Sequence, residues 1–116
     1  MRIVNTTRDR VLADKAWEAM SFGMRLKGLL GRTGLDEGEG VYIRPCNSIH
    51  SFFMKFRFDA AFVDDQGRVL HVVRAMKPWM ISKIVVGAVG VVELPAGVLE
   101  GTSIGDQLDF ISEKPV

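Results

Sequence analysis

The chain reads as a single α+β domain over residues 1–116, mostly antiparallel β-sheet or a small β-barrel, with one principal helix near the N-terminus. Three observations predict this class. Apolar residues recur at helical spacing from Ala13 to Met24; a four-residue turn joins two apolar runs between Phe58 and Val73; further short apolar runs are cut by Gly, Pro and Asp. Strand-like runs outnumber helical ones, and the short turns between them favour antiparallel neighbours.

Arg2 to Asn5 reads as a short edge strand. Ala13, Ala16, Trp17, Met20 and Met24 follow at spacings of three and four, which is one face of a helix. The pattern runs on through Arg25-Leu26-Lys27-Gly28-Leu29-Leu30 and stops near Gly31. Gly23 and Gly28 weaken it by about 1 kcal/mol each relative to alanine, and a close helix-to-sheet approach would explain Gly28. Gly34 to Gly40 is polar, a loop before the strand Val41 to Arg44, which Pro45 ends. If Ile49 to Phe56 is extended, His50, Phe52, Met54 and Phe56 share one face and Ile49, Ser51, Phe53 and Lys55 the other, which puts His50 on the apolar side.

Phe58 to Val63, the turn Asp64-Asp65-Gln66-Gly67 and Arg68 to Val73 give the clearest hairpin signal. The second run is apolar on both faces, which suggests a sheet interior or barrel wall, and Lys77-Pro78-Trp79 interrupts it. The apolar run ending in Val91-Val92-Glu93-Leu94 is another strand, stopped by Pro95 and followed by a loop or single helical turn over 96–100. Gly105-Asp106 turns the chain into a last strand, Gln107 to Ile111.

Composition bounds the function. At 116 residues the chain can bury a core without disulfides or metal. Fifteen Lys and Arg against fourteen Asp and Glu leave a net charge of +1, so the molecule as a whole carries no field that would draw it to nucleic acid or a membrane. A single cysteine excludes an internal disulfide and suits a reducing compartment. Met1 to Arg10 has three arginines and no apolar core of a signal peptide, and the run Ile84 to Val92 is far shorter than the roughly 20 residues that span a bilayer. The expected location is the cytoplasm. The Ile84 to Val92 run suits either a subunit contact or a buried strand.

Three ordered blocks resemble the bacterial and archaeal proteins of the domain of unknown function 192. They are Arg25-Leu26-Lys27-Gly28-Leu29-Leu30-Gly31-Arg32; Pro45 to Met54 running into Phe58-Asp59-Ala60-Ala61-Phe62-Val63-Asp64; and Val92-Glu93-Leu94-Pro95-Ala96-Gly97 with Gly105-Asp106. Arg57 stands where similar members carry proline. The resemblance implies a compact, mostly β domain and assigns no activity. Many relatives carry a secretory signal or lipid anchor ahead of the domain, which is not read here.

Polar chemistry concentrates in Pro45 to Met54. A nucleophilic reading makes Cys46 the thiolate, His50 its base and Asp59 or Asn47 the group that orients the imidazole. Positions i and i+4 lie about 13 Å apart in a strand, so direct pairing needs a turn at Asn47-Ser48. A metal reading would draw on Cys46, His50, His71 and Asp59 or Asp64, at a spacing that is not diagnostic, and no metal or cofactor is expected. A structural reading has Asn47, Ser48 and Ser51 bonding backbone in the bend, His50 locking it, and Asp59 holding a loop through backbone or arginine donors.

A binding reading collects Asn47, Ser48, His50, Ser51 and Asp59 as polar groups of a pocket walled by Phe52, Phe53, Met54 and Phe62. Arg25, Arg44 or Arg57 would then favour an anionic group. Trp79 is either a rim aromatic or sheet packing, and Glu93 either a buried arginine partner or a solvent-facing strand residue. The leading expectation is a non-catalytic module that binds a small polar or anionic ligand or a partner around residues 46–59. The alternative is a thiol-dependent hydrolase or transferase using Cys46 and His50.

Overall fold

The computed structural model describes residues 1–20, 29 and 31–112. Eight strands are present: β1 Arg2–Asn5, β2 Arg10–Ala13, β3 Lys15–Ala19, β4 Glu39–Ile43, β5 Phe58–Val63, β6 Val69–Met76, β7 Gly90–Pro95 and β8 Leu108–Ile111. They form a three-stranded sheet in the order β2-β1-β8 and a five-stranded sheet in the order β3-β4-β7-β5-β6. All pairings are antiparallel except β3 with β4.

The expected α+β class is therefore corrected to all-β, since no helix occurs among the described residues, and the sheets do not close into a barrel. Ala13, Ala16 and Trp17 lie on β2 and β3. Their helical spacing has a different cause. The chain bends at Asp14, where the amides of Asp14 and Lys15 both donate to Gly38 O at 3.0 and 2.9 Å, and passes from one sheet to the other. The bend resets the two-residue alternation, so Ala13 and Ala16 are both buried in one core although they lie three apart. Of the expected helix, residues 21–28 and 30 lie outside the described residues.

The five-stranded sheet is covered on both faces. One face packs Tyr42, Ala61, Val63, Val92 and Leu94 against Ile3, Leu12 and Leu108 of the smaller sheet. The other packs Val41, Ile43, Phe58, Ala60, Phe62 and Val91 against Ile49, Met54 and Val85 from loops. This explains why β5 is buried at all six positions, since a strand covered on both sides needs an apolar or compensated residue everywhere. Close packing also dictates Gly90: a Cβ there would stand 2.5 Å from the Tyr42 ring.

Two strand positions differ from expectation. The smaller sheet runs β2-β1-β8, so β1 is its centre rather than an edge, and β6 is the edge of the larger sheet rather than its interior. The hairpin itself is present. Asp64 Oδ1 accepts from the amides of Gln66 and Arg68, both at 2.9 Å, and Gly67 supplies the positive φ of 80° that the turn requires.

At one corner the segments 5–10 and 101–107 are joined by a polar network. Asn5, fully buried, donates to Thr102 Oγ1 at 3.2 Å and to Asp106 Oδ2 at 3.0 Å. Asp106 Oδ2 also accepts from Arg8 Nε and the Ser103 amide, both at 3.0 Å. The Arg8 bond comes first among the causes that hold the Asp106 carboxyl down to about 2.

Candidate functional site

Residues 44–57 and 77–89 form two loops over the second face of the larger sheet, and Ser51 ties them together. Its side chain is fully buried; Oγ donates to Lys77 O at 2.5 Å and accepts from the Met80 amide at 2.9 Å. Its backbone donates to Met80 O at 2.8 Å and accepts from the Trp79 amide at 3.0 Å. Ser82 makes a second tie, its Oγ accepting from the Ile49 amide at 2.9 Å and its amide donating to Ile49 O at 2.8 Å.

These ties set which way the chain faces. Between Ile49 and Phe56 the expected strand alternation is replaced by turns, apart from an isolated bridge between His50 and Ile81. Ile49, Ser51 and Met54 turn inward, while His50, Phe52 and Phe53 turn outward. Ser51 wins the inward position because the loop backbone needs its donor and acceptor, and His50 is displaced from the apolar side. The Ile84 to Val92 run divides likewise: only its last three residues, from Gly90, join a strand, and Ile84 and Val86 are exposed.

The exposed groups form an aromatic cluster. The His50 ring stacks on Phe52 at 4.9 Å, and Trp79 lies 6.0 Å from Phe52 and 4.7 Å from Phe53. Phe53 is 70% and Trp79 60% exposed, and Met80, Ile81 and Ile84 extend the apolar surface. Both Phe53 and Trp79 have φ of 66°, a left-handed conformation that bulky residues rarely adopt.

The candidate chemical residues have other partners. Cys46 Sγ donates to Ser48 O at 3.1 Å, while His50 Nδ1 accepts from the Phe52 amide at 3.2 Å. Asn47 uses its backbone carbonyl to accept from the Val85 amide at 2.8 Å, and Ser48 Oγ is 3.5 Å from Ser82 Oγ. Met54 is core, Arg57 is exposed, and Arg25 lies outside the described residues. Asp59 is buried and points to the other face of the sheet, where it accepts from the amides of Ala75, Gly97 and Leu99 at 2.8 to 3.0 Å. It holds the loop after β7 and the bulge in β6. Among the described residues, no three His, Cys, Asp or Glu side chains converge as a metal site.

Arg44 lies elsewhere, over the Tyr42 ring at 5.4 Å and 3.4 Å from Glu18, in a cleft of about 500 Å³ also lined by Asp64, Asp65, Asp109 and Phe110. No residue from Cys46 to Asp59 lines this cleft.

Glu93 is neither solvent-facing nor paired with arginine among the described residues. It pairs in register with Val41 and Ala60, which places it on the face beneath the two loops, and burial alone pushes its carboxyl up to about 8. The signal for the exposed face was present in the sequence as Phe52-Phe53 and Trp79-Met80-Ile81, but alternation placed Phe52 on the apolar face with His50 and Met54, and Trp79 was open between a rim aromatic and sheet packing.

The model of the domain of unknown function 192, described as Uncharacterized ACR, matches residues 3–110. The chain belongs to this family. A curated relative, the UPF0127 protein of Thermococcus sibiricus (strain DSM 12597 / MM 739), is 30% identical over 119 residues, covering 97% of this chain and 76% of its own length. The fold is shared with a protein of unknown function from Novosphingobium aromaticivorans DSM 12444, at a TM-score of 0.79 and 19% identity, covering 94% of this chain and 82% of that one. It is also shared with a protein described as "a putative transcription regulator" from Sinorhizobium meliloti 1021, at a TM-score of 0.75 and 21% identity, covering 93% and 89%. The two solved structures support the fold alone.

Proposed function

We propose that the chain is a non-catalytic interaction module whose contact surface is the two-loop face carrying Phe52, Phe53, Trp79, Met80 and Ile81. The observation that carries this reading is the pair of bulky aromatics held outward at φ of 66°. Backbone strain of this kind persists only where the surroundings impose it, and it clusters at functional sites. An apolar surface has no folding reason to face water, and a continuous one marks a contact site. Cys46 and His50 each bond to a neighbouring backbone group, and with Ser48 and Ser51 they build the loops that present the rings.

A photo-crosslinking side chain placed at Phe53 in cells tests the reading. The expected result is a discrete adduct, with protein or lipid, that the same probe at the exposed Ile104 does not give. Identical diffuse labelling from both positions would overturn it.

A further inference from the structure

We infer that the two-loop face binds the surface of an anionic lipid bilayer, with the Phe53 and Trp79 rings entering the interface and Lys55, Arg57, Lys77 and Lys83 facing the headgroups. This rests on the reading of that face as an interaction surface and names its partner.

Charge is the first argument. The chain's net charge is only +1, but none of its fourteen acidic residues lies within 44–57 or 77–89. Those loops hold Arg44, Lys55, Arg57, Lys77 and Lys83, and the last four are exposed. The expectation of no membrane partner followed from net charge; binding at a surface depends on the local field, which acts over about a Debye length of 8–10 Å.

Residue type is the second. Exposed Trp and Phe, with Met80, Ile81 and Ile84 and with exposed Lys55, Lys77 and Lys83 in the same two loops, match the amphipathic demand of the headgroup region, where aromatic bodies enter and ammonium groups stay wet.

The third argument is backbone satisfaction. Placing loop backbone in a low-dielectric layer costs less the more of its amides are bonded, and here the amides of Ile49, Phe52, Met54, Trp79, Met80 and Ser82 are bonded within the two loops. Ser51 accepts three of those bonds, and Ser82 Oγ, His50 Nδ1 and Ile49 O accept the others, so buried Ser51 lies behind the apolar tips. Nucleic acid would be met by the four cations alone, whereas the exposed aliphatic side chains of Met80, Ile81 and Ile84 beside the rings suit a hydrocarbon boundary.

Vesicle flotation tests this with the whole chain and two vesicle types, pure phosphatidylcholine and phosphatidylcholine with phosphatidylglycerol. Binding to the anionic vesicles is expected to be about tenfold tighter or more, and to fall with salt. The variant Phe53→Ser/Trp79→Ser should lose binding to both vesicle types, and Lys55→Glu/Lys77→Glu/Lys83→Glu should lose the anionic preference. Circular dichroism should show both variants folded, since every altered side chain is exposed. Trp79 emission, read in a Trp17→Phe background, should shift to the blue on binding.

No binding to either vesicle, or binding that both variants retain, would overturn the inference. So would saturable binding of duplex DNA, or self-association, that the same variants abolish. If vesicle binding fails while the Phe53 probe still gives a discrete protein adduct, the interaction surface stands and the lipid partner does not.

Discussion

Two corners of the molecule are each stitched by one fully buried polar side chain, and they differ in what they show to water. Asn5 joins segments 5–10 and 101–107, and Ser51 joins the loops 44–57 and 77–89. Around Asn5 the outward residues are mostly polar, among them Thr6, Thr7, Arg8, Asp9 and Arg10, with Ile104 a solitary exception. Around Ser51 they are aromatic and aliphatic, with the cations Lys55, Arg57, Lys77 and Lys83 among them. The inward chemistry is common to both because loop backbone must be satisfied wherever it is covered. The outward chemistry is unconstrained by folding, so the apolar exterior of the second corner calls for a functional cause.

The comparison extends to buried carboxylates. Asp106 is held charged by Arg8, Asn5 and Ser103, whereas Glu93, beneath the Ser51 loops, has only burial acting on it among the described residues and is held neutral. Their pH dependences are opposite. Asp106, with a depressed carboxyl, contributes stability that is complete above about pH 4 and is lost as pH falls towards 2. Glu93 favours folding fully below about pH 4.5, and that stability is lost as pH rises through 8. The largest expected effect follows: Glu93→Gln should raise unfolding stability by roughly 2–4 kcal/mol at pH 8 and leave it nearly unchanged at pH 4. Urea melts of both proteins across that range check it. A uniform loss at every pH would mean that the carboxyl has a partner and that the two corners are alike.

Next in size are the two stitches. Asn5→Ala removes the donor to Thr102 and Asp106 and the acceptor of the Arg8 amide, for a cost of roughly 2–3 kcal/mol. Ser51→Ala removes one donated and one accepted bond, for roughly 1–2 kcal/mol, and should also broaden the environment of Trp79, whose amide neighbours depend on it. Denaturation midpoints give the costs and Trp79 fluorescence the second effect. If Ser51→Ala left both unchanged, the loops would be held by their apolar undersides alone.

Much of the strand content was legible in the sequence, because β5, its turn and β6, β7 and β8 are bounded by residues with one conformational use: Asp64, Gly67, Pro95 and Gly105. Over Ala13 to Ala19 the helix was misread because a bend at Asp14 imitates helical spacing, and the bend depends on Gly38 O, brought in from 24 residues away. Likewise β3 pairs in parallel with β4 across a long connection, which no local pattern encodes. At the candidate site the residue types were legible and their directions were not. Ser51 and His50 exchanged places because the deciding partners, Lys77 O and the Met80 amide, belong to a distant loop. Asp59 was read among the possible pocket groups, but its three amide donors come from elements that meet only after both sheets form.

The smallest effect is the most specific to the exposed corner. At an ordinary exposed position glycine is less stable than alanine by about 1 kcal/mol, since the unfolded glycine is freer. At Trp79 the order should reverse. Alanine would keep the unfavourable φ of 66° while losing the ring contacts to Phe52 and Phe53; glycine loses the same contacts but is relieved of a strain of about 1–2 kcal/mol. Trp79→Gly should therefore be at least as stable as Trp79→Ala and within about 0.5 kcal/mol of the parent. At Ile104, exposed in the other corner, alanine should stay ahead of glycine. Thermal melts of the four variants decide this. The normal order at both positions would mean that Trp79 is not held against its backbone preference, and the strain argument for a functional face would fall with it.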